Sequence, residues 1–116
     1  GTAEQMHASL AQLAALPGNT QVFCAHEYTV SNLRFALAVE PDNVALQQHH
    51  AWCLAQRESG LPTLPSSIGL EREINPFLRC EVPAVVHAAQ HFDPSTPATN
   101  PAQVLALLRA WKNVFA

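Results

Sequence analysis

Charge is scarce in this chain of 116 residues, and what there is leans acidic: six Lys or Arg stand against nine Asp or Glu, a formal net charge of −3 with neutral His. That balance lacks the broad basic footprint of a nucleic-acid binder. No apolar run approaches the roughly 20 residues that cross a bilayer as a helix. The N-terminus has no basic, then apolar, then small-residue pattern, so no signal peptide is visible. Cys24, Cys53 and Cys80 are odd in number and far apart. They fit neither a disulfide framework nor a CxxC zinc site, and a reducing cytoplasm suits them best. No internal repeat is visible. With 48% hydrophobic and only 13% charged residues, the chain can form a packed core and reads as one domain or part of one.

β-structure is also sparse. The chain reads as helix, strand, then helices: mostly α with one or two β segments. Thr2-Ala3-Glu4-Gln5 has the form of a capping box, with Met6, Leu10 and Leu13 on one face behind it. Pro17-Gly18-Asn19 stops that helix. Residues 21–25 form the only clear strand. Thr29 is placed to cap a second helix, with Val30, Leu33, Ala36 and Leu37 as its buried stripe and Pro41 at its end. The pattern predicts a third helix over about 43–58, with Leu46, His50, Cys53 and Leu54 inward. Residues 60–65 are a Pro/Gly linker. Residues 66–79 lack helical periodicity and read as an extended or irregular arm, in which Pro76 bars regular central pairing. Residues 82–91 predict a short helix with Pro83 in its first turn, and residues 93–100 a polar loop. Asn100-Pro101 then opens a last helix with Val104, Leu108, Trp111 and Phe115 on one face. A lone strand cannot satisfy its own backbone groups, and no partner of adequate quality stands out. The expectation is therefore a piece of a larger protein, or a strand paired with another chain.

The segment richest in chemistry is Thr20-Gln21-Val22-Phe23-Cys24-Ala25-His26-Glu27-Tyr28-Thr29. A β-type run delivers His26 to its end, where a helix starts at once. Strand ends are where sites are assembled, because their loops are open and the scaffold behind them is rigid. A single His there also fits a core or surface role. His87 and His91 stand at i, i+4 on a predicted helix, a spacing that can chelate zinc, but no HExxH general base lies between them; a partly exposed polar face suits them better. His49 and His50 are neighbours, so at most one faces the core. Trp52, Trp111 and Phe115 read as core, and Asn75-Pro76-Phe77 as a turn with an aromatic anchor. Arg109 and Lys112, three apart, share a helix face; on their own they read as a solvated cationic helix end that complements the macrodipole.

Three ordered motifs carry a family resemblance. His26-Glu27-Tyr28-Thr29 is followed by Ser31-Asn32-Leu33-Arg34-Phe35-Ala36 and Val39-Glu40-Pro41-Asp42-Asn43; then come Ile74-Asn75-Pro76-Phe77-Leu78-Arg79 and Arg109-Ala110-Trp111-Lys112-Asn113-Val114-Phe115. Together they resemble the C-terminal part of glyoxalase II, the hydroxyacylglutathione hydrolase branch of the metallo-β-lactamase-fold enzymes. Ala25 departs from the family's common Gly, a small-for-small change. The resemblance implies the end of an αββα sandwich over residues 1–40, followed over 41–116 by the helical substrate-binding domain. The family's Thr-His-x-His-x-Asp-His motif and its bridging Asp are absent from the chain; both are expected upstream of Gly1.

The resemblance further implies hydrolysis of S-D-lactoylglutathione to glutathione and D-lactate by a hydroxide bound to two divalent metals, zinc first, iron or manganese as alternatives. His26 would be a ligand of one metal. Arg109 and Lys112 would hold the glycine carboxylate of the glutathione moiety, a planar fork beside a point charge. Tyr28 would meet the glutathione backbone, although a helix-start aromatic packed on the sheet explains it too. The partners expected are a small glutathione thioester and the upstream part of the same protein, with no nucleic acid and no membrane. One His cannot hold zinc tightly, so the chain alone is expected to be inactive. Two alternatives stay open: a helical binding module without chemistry, and a related metallo-β-lactamase-fold thioesterase with another substrate.

Overall fold

Short polar side chains set most of the helix starts. The computed structural model describes residues 2–22, 26–63 and 66–115, with backbone alone for 26–29. Helix α1 (Ala3–Ala14) begins with a reciprocal capping box: Gln5 N donates to Thr2 Oγ1 at 3.1 Å and Thr2 N to Gln5 Oε1 at 3.1 Å. Strand β1 (Gln21–Val22) and helix α2 (His26–Val39) follow. Helix α3 (Val44–Glu58) is capped by Asn43, whose Oδ1 accepts from Leu46 N at 3.1 Å. It ends on Gly60 at φ +71°, with Gly60 N bonded to Arg57 O and Leu61 N to Gln56 O. That is a Schellman stop, which needs a residue without Cβ strain. Strand β2 (Ser66–Ser67) runs into helix α4 (Ile68–Ile74), where Ser67 Oγ accepts from Leu70 N. A 3-10 turn (Pro76–Leu78), helix α5 (Pro83–Phe92) and helix α6 (Pro101–Val114) complete the order. Both α5 and α6 open on proline at the first turn, and Asn100 caps α6 through Gln103 N at 2.9 Å. Each such cap contributes about 1 kcal/mol.

Strand β1 pairs within the chain, contrary to the expectation of an unpartnered strand. It lies antiparallel to β2, Gln21 opposite Ser67 and Val22 opposite Ser66. Ile68 N to Thr20 O and Gly69 N to Gly18 O, both 2.9 Å, extend the contact. A Cβ at Gly69 would stand 3.1 Å from the Gly18 carbonyl oxygen, so this close approach depends on glycine. The remainder of the predicted strand, residues 23–25, lies outside the described residues.

Helix α2 is the wall between two apolar clusters. Phe35 and Val39 join Cys80, Val85, Ala89, Val104, Leu105, Leu107 and Leu108, with Met6 and Leu10 of α1 packed on them. Leu33 and Ala36 join Leu46, Cys53 and Ile74. A helix buried on two sides hides a wider arc than the predicted stripe, which omitted Phe35 and Val39. Other expectations are corrected as well. Helix α2 begins at His26, so Thr29 is an internal residue and not its cap. Within 66–79 only β2 is extended; the rest is mainly a short helix and a 3-10 turn, not an irregular arm, and α4 has only seven residues, too few to show a period. Leu13, Leu54 and Trp52 are exposed to 50%, 45% and 47%. They sit at the margins of their helices' apolar faces, where a helical period alone does not separate buried from open positions. Among the described residues, no helix is long and apolar enough to cross a membrane.

One ion pair ties the end of α2 to the 3-10 segment. Arg79 Nε donates to Glu40 Oε1 at 2.7 Å and Nη2 to Glu40 Oε2 at 3.0 Å, while Nη1 holds the Arg72 carbonyl at 3.0 Å. Glu40 is only 7% exposed. Removing one partner strands a desolvated charge, which costs far more than the pair itself contributes. Arg79→Met should therefore lower stability by about 3–5 kcal/mol. The double variant Glu40→Leu/Arg79→Met should recover most of that loss. Denaturant midpoints of the single and double variants check this; a double variant as weak as Arg79→Met would show that the stranded charge is not the cause.

Candidate functional site

The three sequence motifs meet at one ring. Phe35, 1% exposed, stacks against Phe77 of the Asn-Pro-Phe element, with ring centroids 5.9 Å apart and planes at 21°. Trp111 and Phe115 of the last motif meet it edge to face, at 5.4 and 5.5 Å. Asn75 sets Phe77 in place: its Oδ1 accepts from Phe77 N at 2.9 Å, and its Nδ2 donates to Glu71 Oε1 at 3.3 Å. Glu71 Oε2 in turn accepts from Ser66 Oγ at 3.0 Å. Trp111 and Phe115 are thus partly buried against the core, as expected of them.

Beside this ring cluster lies a small pocket of about 140 Å³, walled by Asn32 of α2, Glu71 and Asn75, Pro76, and Lys112 of α6. Lys112 is the chain's single lysine, and its Nζ stands over the Phe35 ring at 5.9 Å from the centroid. Arg109 sits three residues earlier on α6 and is exposed. Neither forms a salt bridge with a described residue, so both cations are available to an anion. Position 32 lies six residues along α2 from its first residue, His26, an axial rise of about 9 Å. Position 28 lies one turn before Asn32. The backbone thus puts His26 and Tyr28 at the end of α2 nearer its start, with Lys112 alongside the Asn32–Phe35 turn; the side chains of His26 and Tyr28 lie outside the described residues. Asn32 and Phe35 entered the sequence reading only as members of a motif. A cue was the run Ser31–Ala36, which holds more than one buried stripe needs.

Among the described residues the remaining polar groups make no catalytic constellation. Cys53 Sγ and His49 Nε2 are 3.5 Å apart on α3. Burial raises the Cys53 thiol, with Glu71 adding to it; burial lowers His49 against the opposing pull of Glu71. The pair is a neutral thiol beside a neutral imidazole, the reverse of an activated thiolate. His49 also stacks on the exposed Trp52 at 5.6 Å, while His50 keeps a buried Nε2 without a partner among the described residues. His87 and His91 are exposed on α5 and line a groove of about 860 Å³ with Glu40, Arg79, Phe92 and Trp111. Among the described residues no group of three or more His, Cys, Asp or Glu could hold a metal ion. A zinc site needs three or four protein ligands. The described residues therefore do not fit a metal centre by themselves, and one that included His26 would draw its other ligands from outside them.

The chain is similar to known proteins over nearly its whole length. Residues 27–115 match a family model described as "Hydroxyacylglutathione hydrolase C-terminus". Over 115 residues the chain is 53% identical to a protein named hydroxyacylglutathione hydrolase from Aeromonas salmonicida, and 54% identical to one of that name from Aeromonas hydrophila. It is likewise 54% identical over 115 residues to one from Pseudomonas aeruginosa. The match covers 99% of this chain but only 45% of the Aeromonas proteins and 44% of the Pseudomonas one. The chain therefore spans less than half the length of these curated relatives.

Cys53 and Cys80 are free and buried, and burial, with Glu81 nearby, pushes the Cys80 thiol up to about 12. Iodoacetamide at pH 8 should leave both unmodified in the folded protein and modify both in guanidinium, read by peptide mass mapping. Folding also keeps Cys80 protonated at pH values where the unfolded chain ionises. Its contribution to stability is complete below the ordinary value of 9.0 and is lost as pH rises towards 12. Cys80→Ala should flatten the alkaline decline of the melting temperature.

Proposed function

Because the chain belongs to the hydroxyacylglutathione hydrolase C-terminal family, we propose that it is the substrate-gripping part of a thioester hydrolase acting on S-D-lactoylglutathione. The complete protein would add water across the thioester, releasing glutathione and D-lactate, a step of methylglyoxal detoxification. The observation that carries this reading is the convergence of all three motifs on Phe35, with Lys112 on the wall of a small, largely apolar pocket and Arg109 one turn before it. Arg109 and Lys112 grip the glycine carboxylate, and Tyr28 contacts the glutathione backbone. His26 supplies one ligand to a centre of two divalent metals, zinc first, whose other ligands lie in the upstream part of the protein. Residues 1–40 complete an upstream αββα sandwich and residues 41–116 form the helical domain. Met6 and Leu10 pack on the same cluster as α6, so the two parts share a core. Free buried cysteines suit a reducing cytoplasm.

Two measurements on the complete protein test the reading. Arg109→Ala or Lys112→Ala removes a charge-assisted hydrogen bond worth about 1.5–3 kcal/mol, or roughly ten- to hundredfold in kcat/KM. The loss should fall on KM, because a grip remote from the scissile bond holds ground and transition states alike. A matched thioester without the glycine carboxylate should barely respond; equal losses on both substrates would rule out a carboxylate grip. His26→Ala should lower metal content, measured by elemental analysis, and reduce kcat. Arg109→Ala and Lys112→Ala should leave metal content unchanged. Normal metal content in His26→Ala would remove His26 from the centre.

A further inference from the structure

We propose that Phe35 is a positioning residue for substrate: its ring holds the Lys112 ammonium at the mouth of the small pocket, so that the cation is pre-placed for the substrate's terminal carboxylate. This rests on the reading of Lys112 as a carboxylate grip.

A lysine side chain has a long, freely rotating stem, and an exposed one spreads over many rotamers. Lys112 is only half-buried and has no salt-bridge partner among the described residues to hold it. What fixes its ammonium is the ring beneath it, 5.9 Å from Nζ to centroid, within the reach at which an aromatic quadrupole attracts a cation. The ring itself has no freedom to drift. It is 1% exposed, stacked by Phe77 and met by Trp111 and Phe115. Trp111 lies on α6 and Phe115 caps its end, on either side of Lys112 in sequence, so the helix that carries the cation is pinned to the ring. Phe35 also lines the pocket that Lys112, Asn32 and Asn75 share. Cation and pocket are therefore indexed to one immobile group. A substrate carboxylate meets a charge already in place, and less side-chain freedom is lost on binding. Phe35 touches no substrate atom in this account; it acts through Lys112.

Truncating Phe35 would open the core, so the test keeps its shape and weakens its quadrupole. Trifluorophenylalanine is placed at position 35 of the complete protein, alone and with Lys112→Met, and KM and kcat are measured on S-D-lactoylglutathione and on a matched thioester lacking the glycine carboxylate. The expected result is a KM for S-D-lactoylglutathione raised about two- to fivefold at unchanged kcat, no change on the second substrate, and no further change in the Lys112→Met background. A merely structural ring predicts equal effects on both substrates and in both backgrounds, and that pattern would overturn the proposal. So would unchanged kinetics on fluorination when Lys112→Met alone raises KM, an outcome that leaves the carboxylate grip standing. Should Lys112→Met alter neither substrate, the grip itself fails, and this proposal with it.

Discussion

The structure depends on one buried aromatic side chain. Phe35 is the point where the central helix, the Asn-Pro-Phe turn and the last helix touch one another through their rings. Apolar burial drives such an assembly without regard to direction, but edge-to-face and offset contacts add geometric preference. That preference turns a loose apolar contact into a defined set of ring contacts. Lys112 stands beside Asn32 and Asn75 on the same ring.

Polar groups then lock what the rings arrange. The Glu40–Arg79 pair closes the far end of α2 onto the segment that follows the Asn-Pro-Phe turn. Asn43 Nδ2 adds a bond to the Glu73 carbonyl at 2.8 Å, and Arg72 Nη1 one to the Ala14 carbonyl at 2.9 Å. Short caps start the helices, and long side chains bridge between them. The division of labour suits a chain poor in charge: nearly every bridge uses one polar side chain against a backbone carbonyl, and only Glu40 and Arg79 form a buried ion pair between described residues.

Local signals in the sequence were legible because the physics behind them is local. The Thr2–Gln5 box, the Asn100 cap and the prolines opening α5 and α6 all act within one turn, and all stand as read. Tertiary features were harder. Helix α4 has too few residues to show a period, and β2 consists of two serines whose pairing is decided by the close approach of Gly18 and Gly69. Phe35 escaped because a single-stripe model suits a helix with one neighbour, whereas α2 has apolar neighbours on two sides. Arg109 and Lys112 could be placed on one face from spacing alone, but only the folded chain shows which ring and which pocket Lys112 meets. For His26 and Tyr28 the sequence reading extends beyond the described side chains.

The shared ring also constrains how this sequence can drift. Residues 35, 77, 111 and 115 fill one another's space, although long stretches of chain separate three of the segments that supply them. Their substitutions cannot be independent, since residues in contact couple while distant sites simply add. A smaller side chain at 77 leaves a void beside Phe35 that a larger one at 35 would have to fill, and a larger one forces a neighbour to shrink. Any change that rotates the ring also moves the cation above it. Lineages that carry this fold should therefore vary at these four positions in concert, and the sites that are free to vary alone should lie on the outward faces, as at Val44 and Val114, which are 60% and 72% exposed.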